Sequence, residues 1–224
     1  MFLGTMFKVP ESLTIEQRDS PHIAIIFKNF KQLLVTPRFV LPMLIQGVTF
    51  IILFSYISAS PFITQHIYGM SPQQFSIMFA VIGISLIVSS QLTGKFVDYI
   101  NRQTLLRILT LIQLVGILSV TITLLNHFSI WILFLGFIIL VAPVTGVATL
   151  GFSIAMDERT GGNGSASSLL GLVQYLLGGV VSPLVGLMGE GNYVPYVTII
   201  IIAGLLLILL QVMSYFVFRT RKRA

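Results

Sequence analysis

Six runs of about twenty or more largely apolar residues, separated by short polar connections, leave this 224-residue chain little choice of architecture. At 1.5 Å per residue, a helix of about twenty residues crosses a hydrocarbon core of ~30 Å. The pattern predicts spans near Phe39 to Phe62, Gln73 to Val97, Leu105 to Leu125, Ile130 to Ile154, Ser165 to Met188 and Val194 to Phe218. With 55% hydrophobic and 9% charged residues and a mean hydropathy of +0.97, the chain has too little polar material for the surface of a soluble domain. It reads as an all-α integral membrane protein.

Charge is distributed with equal economy. Lys and Arg occur in the N-terminal segment (Lys8, Arg18, Lys28, Lys31, Arg38), in the second connection and its helix ends (Lys95, Arg102, Arg107), in the fourth connection (Arg159) and in the tail (Arg219, Arg221, Lys222, Arg223). The first, third and fifth connections have none, so all 13 positive residues fall on one side. Positive residues in short loops are retained inside, which places both termini in the cytoplasm. The net charge of +6 therefore marks a topology rather than a nucleic-acid surface.

Residues 1–38 precede the first span. Met1 to Phe7 is an apolar stub too short for a signal-peptide core, Lys8 to Ser20 is a polar linker, and Ser20-Pro21 is a helix start. In the helix that follows, Ile23, Ile26, Phe27, Phe30, Leu33 and Leu34 share one face with Lys28 and Lys31 off it, the pattern of an amphipathic helix on a membrane surface. Thr36-Pro37 ends it. Residues 39–218 form the six-helix bundle and 219–224 a basic tail.

No charged residue lies near a bilayer midplane, where an ion costs roughly 3 kcal/mol. Uncharged polar residues do, and they align. Gln46, Thr49, Leu53, Tyr56 and Ser60 recur at steps of three and four along the first span, as do Ser167, Gly171, Gln174, Gly178 and Ser182 along the fifth. Small residues of this kind also cement helices together. The side chains of Gln46, Tyr56 and Gln174 need hydrogen-bond partners that lipid lacks, so each faces protein or a wet cavity. The sixth span, almost continuous Ile and Leu from Val197 to Leu210, reads as lipid-facing. Two interior helices and one peripheral helix in each set of three fit a three-plus-three inverted repeat. Pro143 near Gly146, and Pro183 between Gly178-Gly179 and Gly186, mark bends.

The second connection, Gly94-Lys95-Phe96-Val97-Asp98 with Arg102 beyond, resembles the loop signature of the major facilitator superfamily, with Asn101 where glycine is usual. The resemblance implies that Asp98 latches one conformation, with Gly94 and Arg102 part of the motif. Gly178 to Gly186, with Pro183, resembles the glycine-proline signature of antiporters. Phe54 to Phe62 with Ser71 to Phe75, and Gly164 to Gly171, are similar to the second half of bacterial drug-efflux carriers of the bicyclomycin-resistance (Bcr/CflA) family. That similarity starts near Val9-Pro10-Glu11-Ser12-Leu13 and covers half of a twelve-helix fold; Met1 to Phe7 then corresponds to the end of a sixth helix.

The resemblance implies the C-terminal half-bundle of a proton-coupled multidrug exporter in a bacterial inner membrane. Its first, second, fourth and fifth helices form one cavity wall, and proton-coupling residues belong to an N-terminal half. Gln46, Phe50, Tyr56 and Gln174 are the expected contacts to a small amphiphilic drug. The partner is an N-terminal six-helix half or a second copy. A stand-alone or oligomeric channel or facilitator is the alternative, although no charged ring or re-entrant filter is visible. Neither an enzyme nor a cofactor or metal site is indicated: there is no cysteine, and His22, His66 and His127 are scattered. The charge pattern predicts that cysteine placed at Asn126 or Asn192 reacts with an impermeant thiol reagent added outside cells, whereas cysteine at Asn101 does not; reversed labelling defeats the topology.

Overall fold

The computed structural model describes residues 23–159, 163–186 and 192–219, and every element among them is helical. The stub and linker expected from Met1 to Ser20, the Ser20 cap, Met188 at the end of the fifth span and residues 220–224 lie outside the described residues. Helix α1 (Ile23–Val35) precedes α2 (Pro37–Phe62), which runs on through a π-helical turn, Ile63–Ile67. Then come α3 (Pro72–Phe96), α4 (Arg102–Leu125), α5 (Ile130–Val141), α6 (Pro143–Asp157), α7 (Asn163–Val181) with a 3-10 turn at Ser182–Gly186, and α8 (Val194–Arg219). Grouped by continuity they make six helices long and apolar enough to cross a membrane.

The helix ends follow from local chemistry. Ser71 and Gln74 form the expected capping box: the Ser71 hydroxyl accepts from the Gln74 N–H at 3.2 Å, and the Gln74 side-chain oxygen accepts from the Ser71 N–H at 2.9 Å. Asn101 caps α4, its side-chain oxygen accepting from the Gln103 N–H at 2.9 Å. Pro143 lacks the N–H that would continue the ladder, and it divides the fourth span into α5 and α6. At Pro183 the fifth span tightens instead into a 3-10 turn.

Helix α2 is the hub. It packs against α6, α7 and α8 and buries the largest share of its length of any span. Lipid tails are as apolar as Leu, so helices associate here through close packing and interhelical hydrogen bonds. At Gly116 of α4 a Cβ would lie 2.5 Å from both the Cα and the N of Leu140, so backbone meets backbone there.

The sixth span, expected to face lipid, turns only one side outward. Helix α8 is half packed: Tyr196, Ile200, Ala203 and Leu207 are buried while Ile202, Leu205 and Leu209 face outward. Within this bundle the least buried spans are α3 and α7, with 11% and 22% of their most apolar stretches buried. An unbroken Ile/Leu run hides a helical face that is set by fit rather than by polarity.

All basic residues from Arg38 to Arg219 that have described side chains sit at helix ends of one pole. Arg102 pairs with Asp157 at 2.7 Å and Arg38 with Glu158 at 3.9 Å. The first pair is exposed and the second half-buried; pairs open to solvent are worth at most about 1 kcal/mol, so packing carries the fold. Gly116→Ala is accordingly expected to cost about 1–3 kcal/mol in detergent unfolding. Gly83→Ala, whose Cβ would meet nothing within 4 Å, is expected to be neutral.

Candidate functional site

The fifth span meets the first along a seam fixed by two close approaches. A Cβ on Gly47 would lie 2.7 Å from a Leu177 methyl, and one on Gly178 would lie 2.7 Å from the Phe54 ring. Only residues without a side chain let α2 and α7 come this near. Gln46 and Gln174 are brought together as a result, and the Gln46 side-chain nitrogen donates to the Gln174 side-chain oxygen.

Gln46 is 2% exposed, and its own side-chain oxygen is buried without a protein partner, near Gly151 of α6. Gln174 is half-buried. Towards the other pole, Phe50 and Phe54 lie with their ring centres 6.2 Å apart, and Tyr175 stands edge-on to both at 5.7 and 6.5 Å. Tyr175 is 61% exposed, so this aromatic wall opens outward. Ser58 and Ser182 close the seam through a hydroxyl pair at 2.5 Å. The arrangement offers a flat aromatic surface beside amide hydrogen-bonding groups, and among the described residues no titratable carboxylate or base lies on it.

Sequence reasoning named Gln46, Phe50 and Gln174, and the structure brings these three to one seam. Tyr175 was missed. It lies four residues after Gly171 and three before Gly178, so the stripe that contains Gln174 already held it.

The expectation that Tyr56 faces an open cavity is not met in this arrangement. Tyr56 is 2% exposed, stacked on Phe79 at 5.9 Å and edge-on to Phe137 at 5.1 Å. The polar stripe of α2 turns into the bundle: Thr49 donates to the Gln113 side-chain oxygen at 3.2 Å, and Gln113 donates to the Leu140 carbonyl at 3.4 Å. Gln113, 0% exposed, is a second residue the sequence reading passed over; a glutamine in the middle of an apolar span was the available signal.

The motif residues Gly94, Asp98 and Arg102 do not assemble into one contact. Helix α4 starts at Arg102, and its Asn101 cap turns the guanidinium toward the end of α6, where it meets Ser153 and Asp157, each at 2.7 Å. Ser153 and Asp157 are one turn apart on α6, which suits this double contact. Asp98 is exposed in the turn after α3, and a Cβ on Gly94 would meet nothing within 4 Å. Gly178 serves the close approach to Phe54, while the change of helix type falls at Ser182, beside Pro183; Gly186 faces open space. Among the described residues no group of three His, Asp or Glu side chains is placed to hold a metal.

Residues 1–183 match the Major Facilitator Superfamily. The chain belongs to that superfamily. Its members are transporters rather than enzymes, and a multi-pass helical membrane bundle, half of that fold, is what the structure displays. The chain is 33% identical over 199 residues to an uncharacterized MFS-type transporter, YdgK, of Bacillus subtilis (strain 168), covering 89% of this chain and 49% of that protein. It is 26% identical over 189 residues to a bicyclomycin resistance protein homolog of Haemophilus influenzae, covering 84% of this chain and 48% of that one. The chain spans about half the length of the curated relatives it matches.

The Gln46 to Gln174 pair makes a quantitative expectation. Gln174→Leu alone strands the Gln46 amide in the interior and lowers the melting temperature, whereas the double change Gln46→Leu/Gln174→Leu recovers part of the loss. A double-mutant cycle on unfolding in detergent is expected to give a coupling of about 0.6–1.7 kcal/mol, and strictly additive effects contradict the pairing.

Proposed function

We propose that this chain acts as the C-terminal half of a proton-coupled drug exporter in the bacterial inner membrane, with both termini cytoplasmic. One observation carries the reading. The two most exposed spans, α3 and α7, are also the two least apolar of the six, while α8, the most apolar, is better buried than either. A bundle that met lipid on all sides would place its most apolar helices outermost. The inversion is accounted for by a second half seated on α3 and α7, and half-length coverage of the relatives supports the same conclusion.

In this reading the α2–α7 seam is one side of the substrate path. Phe50 and Tyr175 supply the aromatic surface and Gln174 the orienting hydrogen bond, with Gln46 holding Gln174 in place. Apolar and aromatic burial with few polar contacts suits varied amphiphilic drugs. Transport proceeds by alternating access, the two halves rocking about a midplane site. Among the described residues no carboxylate, histidine, lysine or arginine lies on the seam, so proton coupling is assigned to the other half. Asp98, exposed at the end of α3, is positioned to engage that half as a latch.

Purified chain in proton-loaded liposomes is expected to export nothing, and co-reconstitution with a matching N-terminal six-helix half to give gradient-dependent efflux of an amphiphilic dye. In the two-half protein, Asp98→Asn lowers the efflux rate without lowering membrane insertion. Gradient-driven efflux by the chain alone, as a homodimer, overturns the assignment of coupling to a second half.

A further inference from the structure

Away from the seam, at the pole opposite the basic one, the turn after the π-helical segment, the first turns of α3 and the start of α5 enclose a cavity of about 490 Å³. It falls within the range of pockets for small molecules, about 300–1,000 Å³. Five aromatic and thioether side chains, Tyr68, Met70, Met78, Trp131 and Phe134, line it beside three aliphatic ones, with Gln74 as the amide. Methionine sulfur against an aromatic ring is a favourable and adaptable contact, so this lining suits flat rings of varied outline.

The backbone holds the wall in shape. Gly69 takes a φ of +68°, a left-handed turn that a side chain would strain, and it returns Met70 so that its N–H donates to the Thr64 carbonyl at 3.0 Å. On the other side the capping box fixes the Gln74 side chain, whose oxygen is committed to the Ser71 N–H. That leaves the Gln74 side-chain NH₂ as a donor at the wall, together with the indole N–H of Trp131 and the Tyr68 hydroxyl, which is buried without a partner among the described residues. Burial holds the Tyr68 phenol above its ordinary range, with the neighbouring Tyr193 adding to it, so the lining carries no ionised group.

A larger cleft of about 670 Å³ between α3, α4 and α5 offers no amide or indole N–H; its Ser85 and Thr93 hydroxyls bond back to carbonyls of α3 itself, and Ser89 supplies the remaining hydroxyl. We propose that the smaller cavity is a second binding site, separate from the α2–α7 seam, for an uncharged aromatic molecule that carries a hydrogen-bond acceptor. Its rings lie among Trp131, Phe134 and the two methionines, and its acceptor receives from Gln74. Trp131, 73% exposed, forms the outer lip past which the ligand enters.

The chain contains one tryptophan, so 5-fluorotryptophan incorporation gives a single ¹⁹F NMR resonance from the wall itself. With the chain in lipid nanodiscs, 2-acetonaphthalene is expected to shift that resonance saturably. 2-Ethylnaphthalene, of matching shape but without an acceptor, is expected to bind about five-fold more weakly, the worth of one ordinary hydrogen bond. Gln74→Glu retains the capping box and removes the amide donor, and it is expected to narrow the preference between the two probes. A shift that grows linearly to the solubility limit, as partition into the bilayer gives, overturns the site. So does a preference that Gln74→Glu leaves unchanged. Binding is read without transport, so neither result bears on the half-transporter reading.

Discussion

A glutamine placed at hydrocarbon depth has no water to turn to, and this bundle is organised around where its glutamines send their hydrogen bonds. Gln46 ties α2 to α7, Gln113 ties α4 to both α2 and α5, and Gln211 of α8 donates to Thr110 of α4 at 2.9 Å. Each bond is worth only about 0.6 kcal/mol on average, too little to drive assembly. Their contribution is to register. A rotation of α2 that still buried aliphatic surface would strand two amides, whereas sliding Leu against Leu costs little. Close approaches at Gly47, Gly116 and Gly178 then turn that register into contact between backbones.

Much of this was legible in the sequence, and the reason is that the bilayer removes alternatives. Irregular backbone is excluded at depth, so apolar length alone gives six spans, and the one-sided Lys and Arg give the common pole. The Ser71 cap was readable because its partners lie within three residues. The contacts of Arg102 were not legible for the opposite reason. Its partners, Ser153 and Asp157, lie more than fifty residues away, and nothing near Arg102 announces them.

The polar stripe on α2 shows the limit more sharply. Spacing established that Gln46, Thr49, Tyr56 and Ser60 share a face and that the face avoids lipid. It did not say whether that face meets protein or a wet cavity, because both satisfy the same physical demand. The structure answers with protein for Tyr56, enclosed by Phe79 and Phe137. Phe50, Phe54 and Tyr175, the residues that form an outward wall, were harder to distinguish by polarity because aromatic rings suit lipid and ligand alike.

The two exposed helices also differ from one another. Outward residues of α3 include Ile77, Ile84, Ile87 and Val88, all aliphatic, whereas the outer side of α7 mixes Leu172 and Val180 with Tyr175 beside the half-buried Gln174. An aliphatic ridge packs equally well in several rotational positions, since dispersion is nearly indifferent to which methyl meets which. A tyrosine and an amide are selective about distance and angle. Contacts that must slide between two positions are therefore best placed on α3, and contacts that must recognise a molecule on α7. Since α2 packs against α7 directly and against α3 through the Tyr56–Phe79 stack, a displacement of either face is felt at the hub. That gives a physical reason for the most enclosed helix to carry the most buried polar side chains: the element joining both faces is held in orientation by the hydrogen bonds of Gln46 and Thr49.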